Sequence, residues 1–148
     1  MILLTALCVG GYYIKVYLIK SVSFKYTAFG IDISSNYLIH GIDVSKYQRV
    51  IDWEDLKAMS IKNINIRFVY IKATEGIDLL DEQFRRNWLE AEDYGMTKGA
   101  YHFFVAGESG KQQAKNFISI VELKKGDLPP VLDIEYANGA NADEIQRF

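Results

Sequence analysis

From Leu38 to Ile134 short apolar runs alternate with amphipathic helical stretches, and no other feature constrains the fold as much. Leu38 to Val44 is a short apolar run, after which Asp52 offers an N-cap ahead of Trp53, Leu56 and Met59 at helical spacing. Ile66 to Ile71 is β-branched and aromatic. Beyond Asp81, residues Phe84, Trp88 and Ala91 recur turn by turn until Gly95 closes the helix. Ala100 to Val105 reads as a third strand, and Gln112 to Leu123 carries Ala114, Phe117, Ile118 and Val121 on one stripe before Gly126. Pro130 to Ile134 is the fourth strand, and Asn141-Ala142-Asp143-Glu144 has the form of a helix start. This alternation predicts an α/β fold with a mainly parallel sheet, and four such units make about half of a β/α barrel. An open parallel sheet fits the same rhythm.

Composition narrows the function classes. Hydrophobic residues make up 49% of the 148, enough to bury a core and exclude disorder. With 17 Lys+Arg against 19 Asp+Glu there is no basic footprint for nucleic acid. A single cysteine, Cys8, excludes an internal disulfide, and with two histidines it cannot build an ordinary zinc site, so no metal or other cofactor is expected.

Residues 1–20 differ from the rest. No charge occurs before Lys15, and the apolar pattern resumes briefly before Lys20. The uncharged run matches a signal-like core better than a span of about 20 apolar residues, yet it has no basic start and Leu7 precedes Cys8. It is read as a membrane anchor or signal-like segment, with a buried first strand or helix as the alternative. Residues 21–37 read as a connector and 38–148 as the barrel domain.

In parallel α/β folds the reacting groups stand at the C-terminal ends of strands, and three predicted ends carry carboxylates. Asp43 closes the first, Glu75 follows the second, and Asp133 with Glu135 closes the fourth. Residues two apart on a strand share a face with alpha carbons about 6.6–7 Å apart, so Asp133 and Glu135 are expected to point the same way. Two acids in one mouth push their pKa values apart, leaving one able to donate a proton near neutrality. Glycoside hydrolysis needs that pair. An Asp-x-Glu alone is weak support, because such tripeptides are commonly solvated strand edges.

Six motifs in order sharpen the reading: HGIDVSKYQ, IDW, YIKATEG, Phe84-Arg85-Arg86-Asn87-Trp88, GAYHFF and GDLPPVLDIE. Together they resemble the glycoside hydrolase family 25 lysozymes, N-acetylmuramidases built on an irregular, TIM-like β/α barrel. The resemblance runs from His40 to Glu135 and implies that this chain is the N-terminal portion of the catalytic domain, with about four βα units of an incomplete barrel. It implies Glu135 as general acid, Asp133 as second carboxylate and Asp43 in the saccharide site, with Tyr101, His102, Glu75 and Tyr136 as substrate contacts. The implied reaction is cleavage of the β-1,4 bond between N-acetylmuramic acid and N-acetylglucosamine in peptidoglycan, with retention. The intermediate could be a glycosyl-enzyme or an oxazoline. The implied partner is a peptidoglycan glycan strand and the implied location extracytoplasmic, membrane-anchored or secreted. Gly30-Ile31-Asp32-Ile33-Ser34 nearly copies Gly41 to Ser45, but His40, Tyr47, Gln48 and the IDW follow-on assign the motif to the second copy and leave Asp32 in the connector.

Two other function classes fit these residues: a catalytically inactive peptidoglycan-binding fragment, and a divalent-metal hydrolase using Asp43, Asp133 and Glu135 as oxygen ligands. Among the remaining candidates, His40 reads as a structural donor and Lys72 as an ordinary ion-pair partner of Glu75. Phe84, Trp88 and Phe117 read as core, which leaves Tyr47, Tyr101 and Tyr136 for ligand contact. Without further strands the barrel cannot close, so the chain alone is expected to be molten or to associate through open edges.

Overall fold

The computed structural model describes residues 23–26, 31–34, 37, 39–61 and 64–135. They fall into two units that divide after residue 38. In the first, β1 (Ser23–Tyr26) and β2 (Ile31–Ser34) form an antiparallel pair with Lys25 opposite Asp32. The stretch read as a connector therefore contains a hairpin. Phe24, Tyr26, Ile31 and Ile33 alternate with polar residues in the period of a strand, a signal the serines obscured.

In the second unit four parallel strands run in the order β3 (Ile39–Val44), β5 (Ile64–Glu75), β7 (Thr97–Phe103) and β8 (Val131–Asp133). Helices α1 (Trp53–Ala58), α2 (Phe84–Asp93) and α3 (Gly110–Ile120) stand in the three crossovers. The predicted α/β rhythm is thus observed, as a curled parallel sheet forming half a barrel. Two short strands, β4 (Ser60–Ile61) and β6 (Leu79–Leu80), pair antiparallel with the two ends of β5. The second strand is longer than its apolar run. It continues through Lys72-Ala73-Thr74-Glu75 because β6 and β7 both pair with that polar stretch.

Local chemistry sets the helix ends. The Asp52 side chain accepts the Asp55 N–H at 2.9 Å and caps α1. Gly95, at φ 66°, ends α2 in a Schellman motif: its N–H reaches the Glu92 carbonyl and the Met96 N–H reaches Ala91. Trp53, 2% exposed, donates its indole N–H to Glu90 at 2.8 Å and ties α1 to α2.

The sheet presents two chemically different faces. Val44, Val69, Ile71, Ala73 and Ala100 point to the helices and pack with Trp53, Leu56, Phe84, Ala91 and Phe117 in one core, as expected for Phe84 and Phe117. The opposite, concave face carries Asp43, Phe68, Tyr70, Lys72, Tyr101 and Asp133 by strand parity. Rings on this face need glycine neighbours. A Cβ on Gly41 would lie 2.2 Å from the ring of its register partner Phe68, and one on Gly99 would lie 2.5 Å from Tyr70.

Gly99→Ala should therefore destabilise the domain by about 1–3 kcal/mol, because β7 and Leu128 confine the Tyr70 ring. Urea unfolding of Gly99→Ala, Tyr70→Ala and the double variant checks this. The expected outcome is a double variant more stable than additivity allows, and strict additivity would place the clash elsewhere.

Candidate active site

A cleft of about 380 Å³ opens at the C-terminal end of the sheet, lined by Asp43, Tyr70, Tyr101, Val131, Leu132, Asp133 and Glu135. The size suits a small-molecule or sugar site. Asp43 enters from β3, where it is the register partner of Tyr70 on β5. Asp133 ends β8 opposite Phe103, and its carbonyl accepts the Phe104 N–H at 2.9 Å. Glu135 lies beyond the last strand residue, so strand parity alone does not direct it, yet it lines the same cleft.

Tyr101 links the carboxylates electrostatically. Burial pushes its phenol far above the ordinary value, and the negative charges of Asp43, Asp133 and Asp81 push it further, against an opposing hydrogen bond with Ser45. The phenol consequently stays protonated at any working pH and offers a hydrogen-bond donor among three acids. Tyr70 supports the arrangement from the side, donating its hydroxyl to the Pro129 carbonyl at 3.1 Å and so holding the segment that leads into β8.

Of the predicted residues, the structure brings Asp43, Tyr101, Asp133 and Glu135 together. Glu75 is not among the lining residues; it pairs with Lys72 at 2.6 Å, the ion pair read from the sequence, while Lys72 also lies over the Phe103 ring. His102 turns to the helix side, completely buried, and does not line the cleft. Its Nδ1 is 2.7 Å from the Thr74 hydroxyl and its Nε2 is 3.1 Å from Gln113 Oε1. The Gln113 amide is oriented by both backbone groups of Val105, so Oε1 accepts and His102 carries its proton on Nε2. Alternation along β7 explains the split: neighbours Tyr101 and His102 face opposite sides. Tyr136 lies outside the described residues.

Three contributors escaped the sequence reading. Tyr70 could have been found from strand parity with Phe68 and Lys72. Ser45, hydrogen-bonded to Tyr101, and Asp81, buried and accepting the Lys46 and Gln83 N–H groups at 2.9 Å each, act through loops that periodicity does not describe. Among the described residues no group of three or more His, Cys, Asp or Glu is arranged to hold a metal ion.

Residues 42–148 match the family described as Glycosyl hydrolases family 25. The chain belongs to that family. It is 42% identical to the uncharacterized protein YegX of Escherichia coli K12 over 81% of its own length and 44% of that protein's. It is 41% identical to Lysozyme M1 of Streptomyces globisporus over 66% of its length and 33% of the lysozyme's. The fold superposes on a family 25 glycosyl hydrolase from Bacillus anthracis with a TM-score of 0.69 at 38% identity, covering 78% of this chain and 53% of that one. A muramidase from Acremonium alcalophilum gives a TM-score of 0.62 at 35% identity, covering 73% and 56%. The chain thus spans less than half the length of the curated relatives YegX and Lysozyme M1. Its curled sheet is an incomplete TIM-like barrel of family 25.

The buried His102 makes stability depend on pH. Burial holds the imidazole below its ordinary value of 6.5, the Lys72 charge adds to this, and the Gln113 hydrogen bond acts the other way. The folded state then binds fewer protons than the unfolded chain, so this contribution is present above about pH 6.5 and is lost as pH falls through the lowered value. Urea midpoints should drop between about pH 7.5 and 5.5, and His102→Gln should reduce that drop. An unchanged drop in the variant would assign the acid sensitivity to other groups.

Proposed function

We propose that this family 25 chain carries the acid machinery of a peptidoglycan hydrolase, an N-acetylmuramidase that cleaves the β-1,4 bond between N-acetylmuramic acid and N-acetylglucosamine. The observation that carries the reading is the convergence of Asp43, Asp133 and Glu135 on one cleft beside a protonated Tyr101. Family membership and relatives named as lysozymes and muramidases support the same substrate class.

In this reading Glu135 protonates the leaving oxygen, Asp133 stabilises the positive charge that develops at the sugar centre, and Asp43 holds the saccharide. The Tyr101 hydroxyl donates to a sugar or acetamido oxygen that the carboxylates, as acceptors, cannot serve. Glu75 enters only as the partner of Lys72, and His102 sets the orientation of β7 from behind. The oxygen-only donor set would also suit a hard divalent cation, which makes chelator sensitivity a discriminating test. Action is extracytoplasmic, where the wall lies. The proposed leader, residues 1–20, falls outside the described residues, among which no helix is long and apolar enough to cross a membrane.

Release of reducing ends from purified peptidoglycan tests the assignment. Glu135→Gln keeps the shape while removing the transferable proton, so release should fall by about 10²–10⁴-fold while pull-down with peptidoglycan persists. Near-normal release would sink the acid role. Pull-down by the unaltered chain without any release would favour the binding-module reading, and loss of release with a chelator the metal reading.

A further inference from the structure

The turn that follows β3 contains a backbone position that arginine occupies against its own preference. Arg49 has φ 58° and ψ −129°, and every other positive φ among the described residues belongs to a glycine. This is the first central position of a type II′ turn, a conformation dominated by glycine, asparagine and aspartate. Strained positions of this kind persist where the surroundings hold them and cluster at functional sites.

The surroundings do hold it. Ser45 and Gln48 form a reciprocal capping box, with the Ser45 N–H donating to Gln48 Oε1 at 2.7 Å. The buried Asp81 carboxylate accepts the Lys46 N–H, and the Arg49 N–H closes on the Lys46 carbonyl at 3.0 Å. The turn is therefore anchored to the same Ser45 that bonds Tyr101, and it leaves the strand that carries Asp43 into the cleft. Lys46, Tyr47 and Arg49 are all exposed there, with the Lys46 ammonium over the Tyr47 ring. Among the described residues no carboxylate forms an ion pair with Lys46 or Arg49, whereas Lys72, Arg86, Lys98 and Lys124 all have one.

An exposed cationic pair thus stands on a rigid turn next to a cleft lined by three acids. Such a cleft repels anions, so an anionic polymer entering it needs a counter-charge at the rim. Sugar rings of a peptidoglycan strand are neutral; its negative charge sits on the carboxylates of the peptides attached to muramic acid. We propose that Arg49, assisted by Lys46, binds a stem-peptide carboxylate and so selects peptide-bearing glycan over bare polysaccharide. The planar guanidinium suits a carboxylate bidentately, and the strained backbone fixes where it is presented. This inference rests on the peptidoglycan reading above and adds the part of the substrate that is recognised outside the scissile bond.

The test uses the full chain and sacculi freed of phosphate polymers with hydrofluoric acid, half of them with carboxylates converted to neutral amides by carbodiimide and methylamine. Arg49→Gly removes the guanidinium and suits φ 58°, so the fold is kept. Its binding to untreated-carboxylate sacculi should fall by about three- to tenfold, with no change on amidated sacculi, and the unaltered chain should lose binding on amidation and with added salt. Arg49→Lys should retain most of the salt-sensitive binding. Equal binding by Arg49→Gly and the unaltered chain, or equal binding of the unaltered chain to both sacculi, overturns the inference while leaving the glycan reading intact. Binding of the unaltered chain to neither removes both.

Discussion

Close packing of aromatic rings over glycines on the concave face of β5 is the constraint on which the site depends. Phe68 lies over Gly41 of β3, and Tyr70 over Gly99 of β7, each in a space that no Cβ could share. Because the missing side chains flank β5 on both sides, large rings fit on the concave face without forcing the strands apart. The same packing aims the Tyr70 hydroxyl at Pro129, and that bond locates the entry to β8 with its acidic end. A smaller residue at 70 would leave Asp133 and Glu135 on a segment held chiefly by three register pairs.

The two faces of the sheet divide the work between stability and chemistry. On the helix side, apolar strand residues share the core with His102, Thr74 and Gln113, a polar set whose donors and acceptors are matched with each other and with Val105. A half-satisfied network there would be costly, whereas a matched one fixes the registry of β7 against α3. On the other side polar groups stand exposed or half-buried, where a ligand can meet them. Tyr101 sits at the boundary, buried enough to stay protonated and open enough to line the cleft.

Much of this organisation was legible in the sequence because it rests on periodicity and local signals. Asp52 capped α1 and Gly95 closed α2 as read, and strands were found wherever an apolar run marked them. What periodicity could not show was where polar residues continue a strand, as Lys72 to Glu75 do through pairing with β6 and β7. Nor could motif adjacency assign faces: Tyr101 and His102 sit side by side in GAYHFF, and the pleat sends one to the cleft and the other to the core. Glu75 shows the same limit, since its position at a strand end was visible and its engagement by Lys72 takes it out of the cleft lining.

Charge placement gives the site a direction. The acids gather where strands β3 and β8 end, while the free cations Lys46 and Arg49 occupy the turn on the β3 side. Asp81 joins the two arrangements physically, because one of its oxygens pins the cationic turn and the other the start of α2, while its charge adds to the field at Tyr101. A buried carboxylate accepting two backbone N–H groups is stable without a cationic partner, so it can hold a rim of positive residues in place without neutralising them. That leaves the guanidinium and ammonium available to an incoming anion, and it couples the position of the rim to the hydrogen bond between Ser45 and Tyr101 at the centre of the cleft.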